Sequence, residues 1–259
     1  MFLDAMRAPE IADVVHGAAV DQMNNKVVIF ALDEERVTSY ASKAYGDLAI
    51  VEETKAGEED ARNWDAGPFP AGQKMYWPGG NGPWCSSGFN MRNDGGTPYM
   101  LTAAHCGGVG QQWHSAGNLG TVTNTLMPTR DVAFVFGGSY NNRIWRGGVN
   151  TSTTGAVVGV MGGTPNYGAY AGYSGARTGE GSAPYRYSGC ASSYCNLYFF
   201  AGNLTDHGDS GGPWFAHMAG TNNVLALGVH RGREFPASGP LMVMTDIKYI
   251  IGYTSSRLY

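Results

Sequence analysis

From residue 67 almost to its end, this chain never repeats its apolar residues at the three-to-four spacing of a helix. Short apolar runs at residues 100–102, 132–136, 156–160, 198–201 and 224–229 are separated by clusters of Gly, Asn, Ser and Pro. Runs of that length and spacing belong to an all-β barrel or sandwich. Composition agrees: 39 glycines and 15 tyrosines accompany only 15% charged residues, which suits short strands joined by tight turns. A short helix is expected near the end, over residues 245–253, and 259 residues suffice for a sizeable core in one or two domains.

Several classes are set aside at this point. No apolar run approaches 18 residues, so no membrane span is expected. No basic stripe marks a nucleic-acid surface. Residues 1–25 lack the basic start and apolar core of a signal peptide, so the natural chain is expected to begin differently from Met1. The four cysteines form two close pairs, Cys85 with Cys106 and Cys190 with Cys195. They could be free buried thiols or disulfides, whereas zinc lacks its usual spacing and flanking histidines. Disulfides would imply an oxidising compartment.

Charge divides the chain. Residues 1–66 carry 14 acids against 6 bases, a net of −8, while residues 67–259 carry 7 against 11, a net of +4. The seam lies near residues 65–72. Within the first part, Ile11, Val14, Val15, Ala18 and Ala19 have helical spacing, Lys26–Ala31 reads as a strand, and Asp33 could cap a helix over residues 34–45 that Gly46 ends. Residues 48–51 read as another strand, and residues 52–66 as an acidic linker. Together these make a small α/β unit.

Three segments carry chemistry. Leu101-Thr102-Ala103-Ala104-His105-Cys106 ends an apolar strand in a histidine, and Arg130-Asp131-Val132-Ala133-Phe134 sets an acid at the start of another. Gly208-Asp209-Ser210-Gly211-Gly212-Pro213 holds a serine among glycines. A serine hydroxyl needs a neighbouring base, imidazole can take and return a proton near neutral pH, and a buried carboxylate fixes the ring tautomer. Ser210 is therefore the candidate nucleophile, His105 the base and Asp131 its orienting acid. The backbone amides of Gly208 and Ser210 are candidate oxyanion donors. The order His, Asp, Ser differs from the subtilisin and α/β-hydrolase orders, and the strand-like Trp214-Phe215 after the serine argues against a nucleophile elbow.

These segments, with Cys85-Ser86-Ser87-Gly88-Phe89-Asn90, resemble the secreted bacterial branch of the chymotrypsin superfamily, the streptogrisin and α-lytic protease group. The resemblance covers about 190 residues, 67–259. It implies two six-stranded antiparallel β-barrels, over residues 67–148 and 149–259, with an active site between them. It also implies Cys85–Cys106 and Cys190–Cys195 disulfides, a secreted monomer acting on protein or peptide substrates, and no cofactor or metal. Residues 1–66 resemble the group's propeptides, which assist folding and inhibit the mature enzyme, so an intramolecular contact with the barrels is expected; an unrelated leader domain is the alternative. The chain departs from the group in lacking cysteines around Ser210. Arg177 is the candidate side-chain partner of Asp209. In the run Leu227-Gly228-Val229-His230-Arg231-Gly232, His230 and Arg231 are candidate substrate-binding residues, with His230 favouring cleavage after glutamate. The rival readings are a silent barrel-fold binding protein and a stable zymogen.

Overall fold

The computed structural model describes residues 8–21, 26–31, 33–53, 62, 66–77 and 84–259. The chain divides into two compact units, Met1–Glu59 and Asp60–Tyr259. The boundary thus lies ahead of the seam in charge at residues 65–72. Glu58, Glu59 and Asp60 of the acidic linker lie outside the described residues.

Among its described residues the first unit is a three-stranded sheet with one helix. Strand β1 (Val15–Asp21) pairs antiparallel with β2 (Lys26–Ala31), and β2 pairs in parallel with β3 (Ala49–Glu53). Helix α1 (Glu34–Tyr45) makes the crossover. Its start is set by Asp33, whose side chain accepts a hydrogen bond from the Arg36 amide, with Glu34 and Glu35 in the first turn where negative charge is favoured. Val37 and Ala41, one turn apart, are buried with Ile11, Ile29 and Ala31. The helix expected through residues 11–19 is not there. One turn, with the Ala12 and Val15 amides bonded to the Ala8 and Ile11 carbonyls, gives way to β1 at Val15. Pairing with the β-branched β2 outweighs a five-residue helical pattern too short to sustain a helix.

The second unit is built almost wholly of strands. In order these are β4 (Phe69–Ala71), β5 (Lys74–Met75), β6 (Cys85–Ser86), β7 (Asn90–Arg92), β8 (Pro98–Thr102), β9 (Gln112–His114), β10 (Asn118–Thr125), β11 (Ala133–Gly137) and β12 (Tyr140–Trp145). They continue with β13 (Thr154–Val160), β14 (Tyr170–Gly175), β15 (Gly179–Ala191), β16 (Tyr194–Ala201), β17 (Pro213–His217), β18 (Val224–Glu234) and β19 (Leu241–Asp246). Helix α2 (Ile247–Thr254), capped by Asp246, and β20 (Arg257–Leu258) end the chain.

One six-stranded sheet runs β20-β7-β8-β11-β10-β9. Both faces of its central strands are buried. On β8, Met100 packs with Trp113, Val122 and Val135, while Tyr99 and Leu101 pack on the other side with Phe89 and Phe134. That explains the unbroken apolar runs at residues 100–102 and 132–136. The second barrel closes as β17-β14-β15-β16-β19-β18, with β18 returning to β17, and every pairing around it is antiparallel. Its interior holds Tyr173, Tyr185, Phe200, Trp214, Leu227 and Met244. A fully buried aliphatic or aromatic side chain contributes roughly 1.5–3 kcal/mol. The all-β, two-barrel expectation holds, with changes of membership: β4 and β12, from residues 67–148, join the second sheet through β13, which pairs in parallel with β18. Strand β20, at the far C-terminus, crosses back to pair with β7 of the first barrel.

Candidate active site

His105 lies in a single turn, Ala104–Cys106, directly after β8, and Asp131 lies just before β11. Because β8 and β11 pair antiparallel with Thr102 opposite Ala133, the two residues meet at the same end of the sheet. Asp131 is 3% exposed and uses both oxygens on the histidine. Oδ1 accepts from the His105 amide at 2.8 Å, and Oδ2 lies 2.5 Å from Nδ1. A carboxylate only accepts, so Nδ1 carries the proton and Nε2 keeps its lone pair. The His105 side chain is 45% exposed.

Ser210 arrives on the turn before β17. Its carbonyl accepts from the Ser86 amide at 2.8 Å and lies 3.8 Å from Cys106 Sγ. Cys106 is bonded to Cys85, so this disulfide packs the turn carrying His105 against the turn carrying Ser210. Closing a loop of that length is worth about 3 kcal/mol on a chain-entropy account. The next residue must be glycine. Gly211 has φ +91°, and a Cβ there would stand 2.2 Å from the Ser86 carbonyl oxygen and 2.3 Å from Thr102 Oγ1. The structure therefore brings the Ser210, His105 and Asp131 segments together. Among the described residues the Ser210 hydroxyl has no hydrogen-bonded partner, and neither do the amides of Gly208 and Ser210. Hydrogen bonds of unliganded sites are often long and tighten when substrate binds.

Asp209, beside the serine, is 1% exposed. It accepts from the amides of Arg177, Thr178 and Asp206 at 2.9, 3.0 and 2.8 Å, and from the Thr178 hydroxyl at 2.7 Å. Burial still raises its pKa above the ordinary carboxylate value. The expected Arg177 partnership is thus made by the backbone, while the Arg177 guanidinium lies over the Trp84 ring, 5.7 Å from its centre.

A cleft of about 230 Å³ opens beside the histidine, lined by His105, Asp131, Tyr194, Arg231, Gly232, Arg233 and Glu234. Arg231 pairs with Glu234 at 2.8 Å and lies over the Tyr194 ring at 4.7 Å. Tyr194 stands at the tip of the β15–β16 hairpin clipped by the Cys190–Cys195 disulfide, and its hydroxyl reaches Met127 Sδ at 3.2 Å. Sequence reasoning passed over Tyr194; the six-residue cysteine clip was the signal. On one side residues 230–234 pair with β19, while on the β17 side the backbone bonds end with those of His230 to Gly211 and Gly212. The β17 side of Arg231–Gly232–Arg233 is therefore an open strand edge. A larger cavity of about 470 Å³, around Tyr198, Asp246 and Lys248, is lined by Cys190 and Cys195 but by none of His105, Asp131, Ser210 and Arg231.

His230 does not line that cleft directly. It is 3% exposed, and its Nδ1 accepts from Trp214 Nε1 at 3.1 Å. Burial foremost, with the charges of His105 and Arg233, pushes its pKa down to about 3. A neutral ring whose Nδ1 accepts carries its proton on Nε2, so His230 keeps one donor and remains, with Arg231, a candidate substrate-binding residue.

No protein-family model matches the chain. It is similar to streptogrisin-D of Streptomyces griseus, with 32% identity over 123 residues, 45% of this chain and 29% of that protein. The chain matches about a third of the length of the curated relatives it resembles. Among solved structures, Thermobifida fusca protease A superposes with a TM-score of 0.58 at 27% identity, covering 73% of this chain and 97% of that one. A glutamic acid-specific serine protease described as using a histidine triad in substrate binding superposes at 0.59 with 22% identity, covering 74% and 100%. At that identity the second likeness speaks for the fold.

Proposed function

We propose that this chain, which has the double-barrel fold of the bacterial chymotrypsin-like proteases and resembles the streptogrisin group in sequence, is a secreted serine endopeptidase. The observation that carries the reading is the His105–Asp131 pair: both carboxylate oxygens hold one histidine, on a turn that the Cys85–Cys106 disulfide packs against the Ser210 turn.

Ser210 Oγ attacks the scissile carbonyl as His105 Nε2 takes its proton, and Asp131 stabilises the imidazolium that forms. The free amides of Gly208 and Ser210 receive the oxyanion, each worth roughly 3–4 kcal/mol where such a donor has been removed. His105 returns the proton to the leaving amine, and water then repeats the sequence on the acyl-enzyme. The substrate backbone adds as a strand to the open edge at Arg231–Gly232–Arg233, which brings the peptide past Tyr194. The two disulfides fit an oxidising, extracellular setting.

The test is stoichiometric labelling by a fluorophosphonate probe, before and after residues 1–59 are removed by processing. Labelling lost in Ser210→Ala supports the enzyme. Labelling only after processing assigns residues 1–59 an inhibitory, propeptide role. A processed chain that never labels is a silent barrel-fold protein, and the reading fails.

A further inference from the structure

Arg62 lies in the acidic stretch ahead of the first barrel strand, yet it is 0% exposed and belongs to the second unit. Its carbonyl accepts from the Lys74 amide at 2.9 Å, which ties the segment to β5. Its guanidinium donates through Nη1 to Ser174 Oγ at 2.8 Å and the Gly175 carbonyl at 2.7 Å, and through Nη2 to the Gly147 carbonyl at 2.8 Å. Three acceptors on two separate chain segments are thus gathered by one rigid fork.

What those acceptors hold matters for the serine. Ser174 and Gly175 end β14, and Arg177 and Thr178, two and three residues later, supply three of the hydrogen bonds that grip Asp209. Gly175 lies against that carboxylate so closely that a Cβ there would stand 2.0 Å from Asp209 Oδ1. The Ala176 amide donates to Ser86 Oγ, which in turn donates to the Gly208 carbonyl at 2.7 Å. The chain of contacts runs from Arg62 through the end of β14 to both sides of the oxyanion turn.

We infer that Arg62 is a positioning residue for the Gly208–Asp209–Ser210 turn, and that the working enzyme keeps it, so processing cuts the chain upstream of Arg62. The catalytic consequence rests on the function proposed above; the structural one does not. Replacing the guanidinium loosens the end of β14, the Asp209 cradle and then the two oxyanion amides, without touching the strand edge that binds substrate. The loss therefore falls on kcat, and KM changes little.

The experiment uses the full chain with Arg62→Met, which keeps bulk and removes the donors, and Arg62→Lys, which restores one cationic donor group. Arg62→Met is expected to lower kcat per labelled site at least tenfold with KM within twofold, and Arg62→Lys to recover part of the loss. Hydrogen exchange at the Arg177 and Thr178 amides should quicken at least tenfold in Arg62→Met while core amides such as Val135 stay as they were. The processed, active form should begin at or before Arg62. Wild-type kcat in Arg62→Met, unchanged exchange at Arg177 and Thr178, or a fully active form beginning at Asn63 or later would each overturn the proposal. If Arg62→Met does not fold, Arg62→Lys and the sequenced terminus decide. A wild-type chain with no turnover and no labelling defeats the protease reading alone, because the exchange measurement still judges Arg62.

Discussion

The two barrels each bury one aspartate next to a candidate catalytic residue, and they use it in opposite ways. On the first barrel, Asp131 spends both oxygens on His105, a ring that stays open to solvent and can gain a proton. On the second, Asp209 is gripped by three amides and a hydroxyl, none of which titrates near neutral pH. Burial is similar, at 3% and 1%. A buried carboxylate therefore acquires a chemical or a structural role from its donors, not from its depth.

Matched substitutions test this contrast. Asp131→Asn should leave the fold intact and lower kcat by about 10⁴, because an amide in that place favours the wrong histidine tautomer. Asp209→Asn should act through the oxyanion turn. Its amide group meets donors with a donor, costing roughly 1–3 kcal/mol of stability, with a fall in kcat of about 10²–10³ if the turn misplaces one oxyanion amide. Equal kcat losses in two equally stable variants, followed by peptide hydrolysis and thermal melting, would erase the distinction.

The two histidines of the site repeat the contrast more quietly. The His105 side chain is half exposed, whereas His230 is enclosed with its pKa held at about 3. An unfolded chain takes up that proton below about pH 6.5 and the folded one does not until about pH 3. Stability is thus fully present above pH 6.5 and falls by up to ~1.4 kcal/mol per pH unit as the pH drops through that window. His230→Phe should flatten this acid limb in urea melts taken from pH 7 to 4. An unchanged limb would contradict this enclosure, and a glutamate preference that vanishes in the same variant would place His230 in the substrate pocket.

The chemistry of this chain was legible in short, stereotyped segments. The motifs around His105 and Ser210, the two cysteine pairs and the Asp33-capped helix all rest on local rules that a sequence displays directly. The failures share a different cause. Strand β18 is buried on both faces from Ala226 to His230, so alternation cannot say which of its side chains enter the cleft. Arg177 was read by its side chain, while the bonds to Asp209 came from backbone that every residue carries. Arg62 looks like one more charge in an acidic linker, because its three acceptors come from residues 85–113 positions away. Tyr194 reaches the cleft only through a hairpin whose path depends on the closed barrel.

The central claim is that Ser210, His105 and Asp131 act as one unit. The most direct measurement is kcat/KM for Ser210→Ala, His105→Ala and the double variant, on processed protein and one peptide substrate. The account predicts that each single loss lowers kcat/KM by about 10⁴ or more and that the double variant is no worse than either by more than a few-fold. A His105→Ala enzyme retaining more than about a tenth of wild-type kcat/KM, or losses that multiply in the double variant, would contradict it.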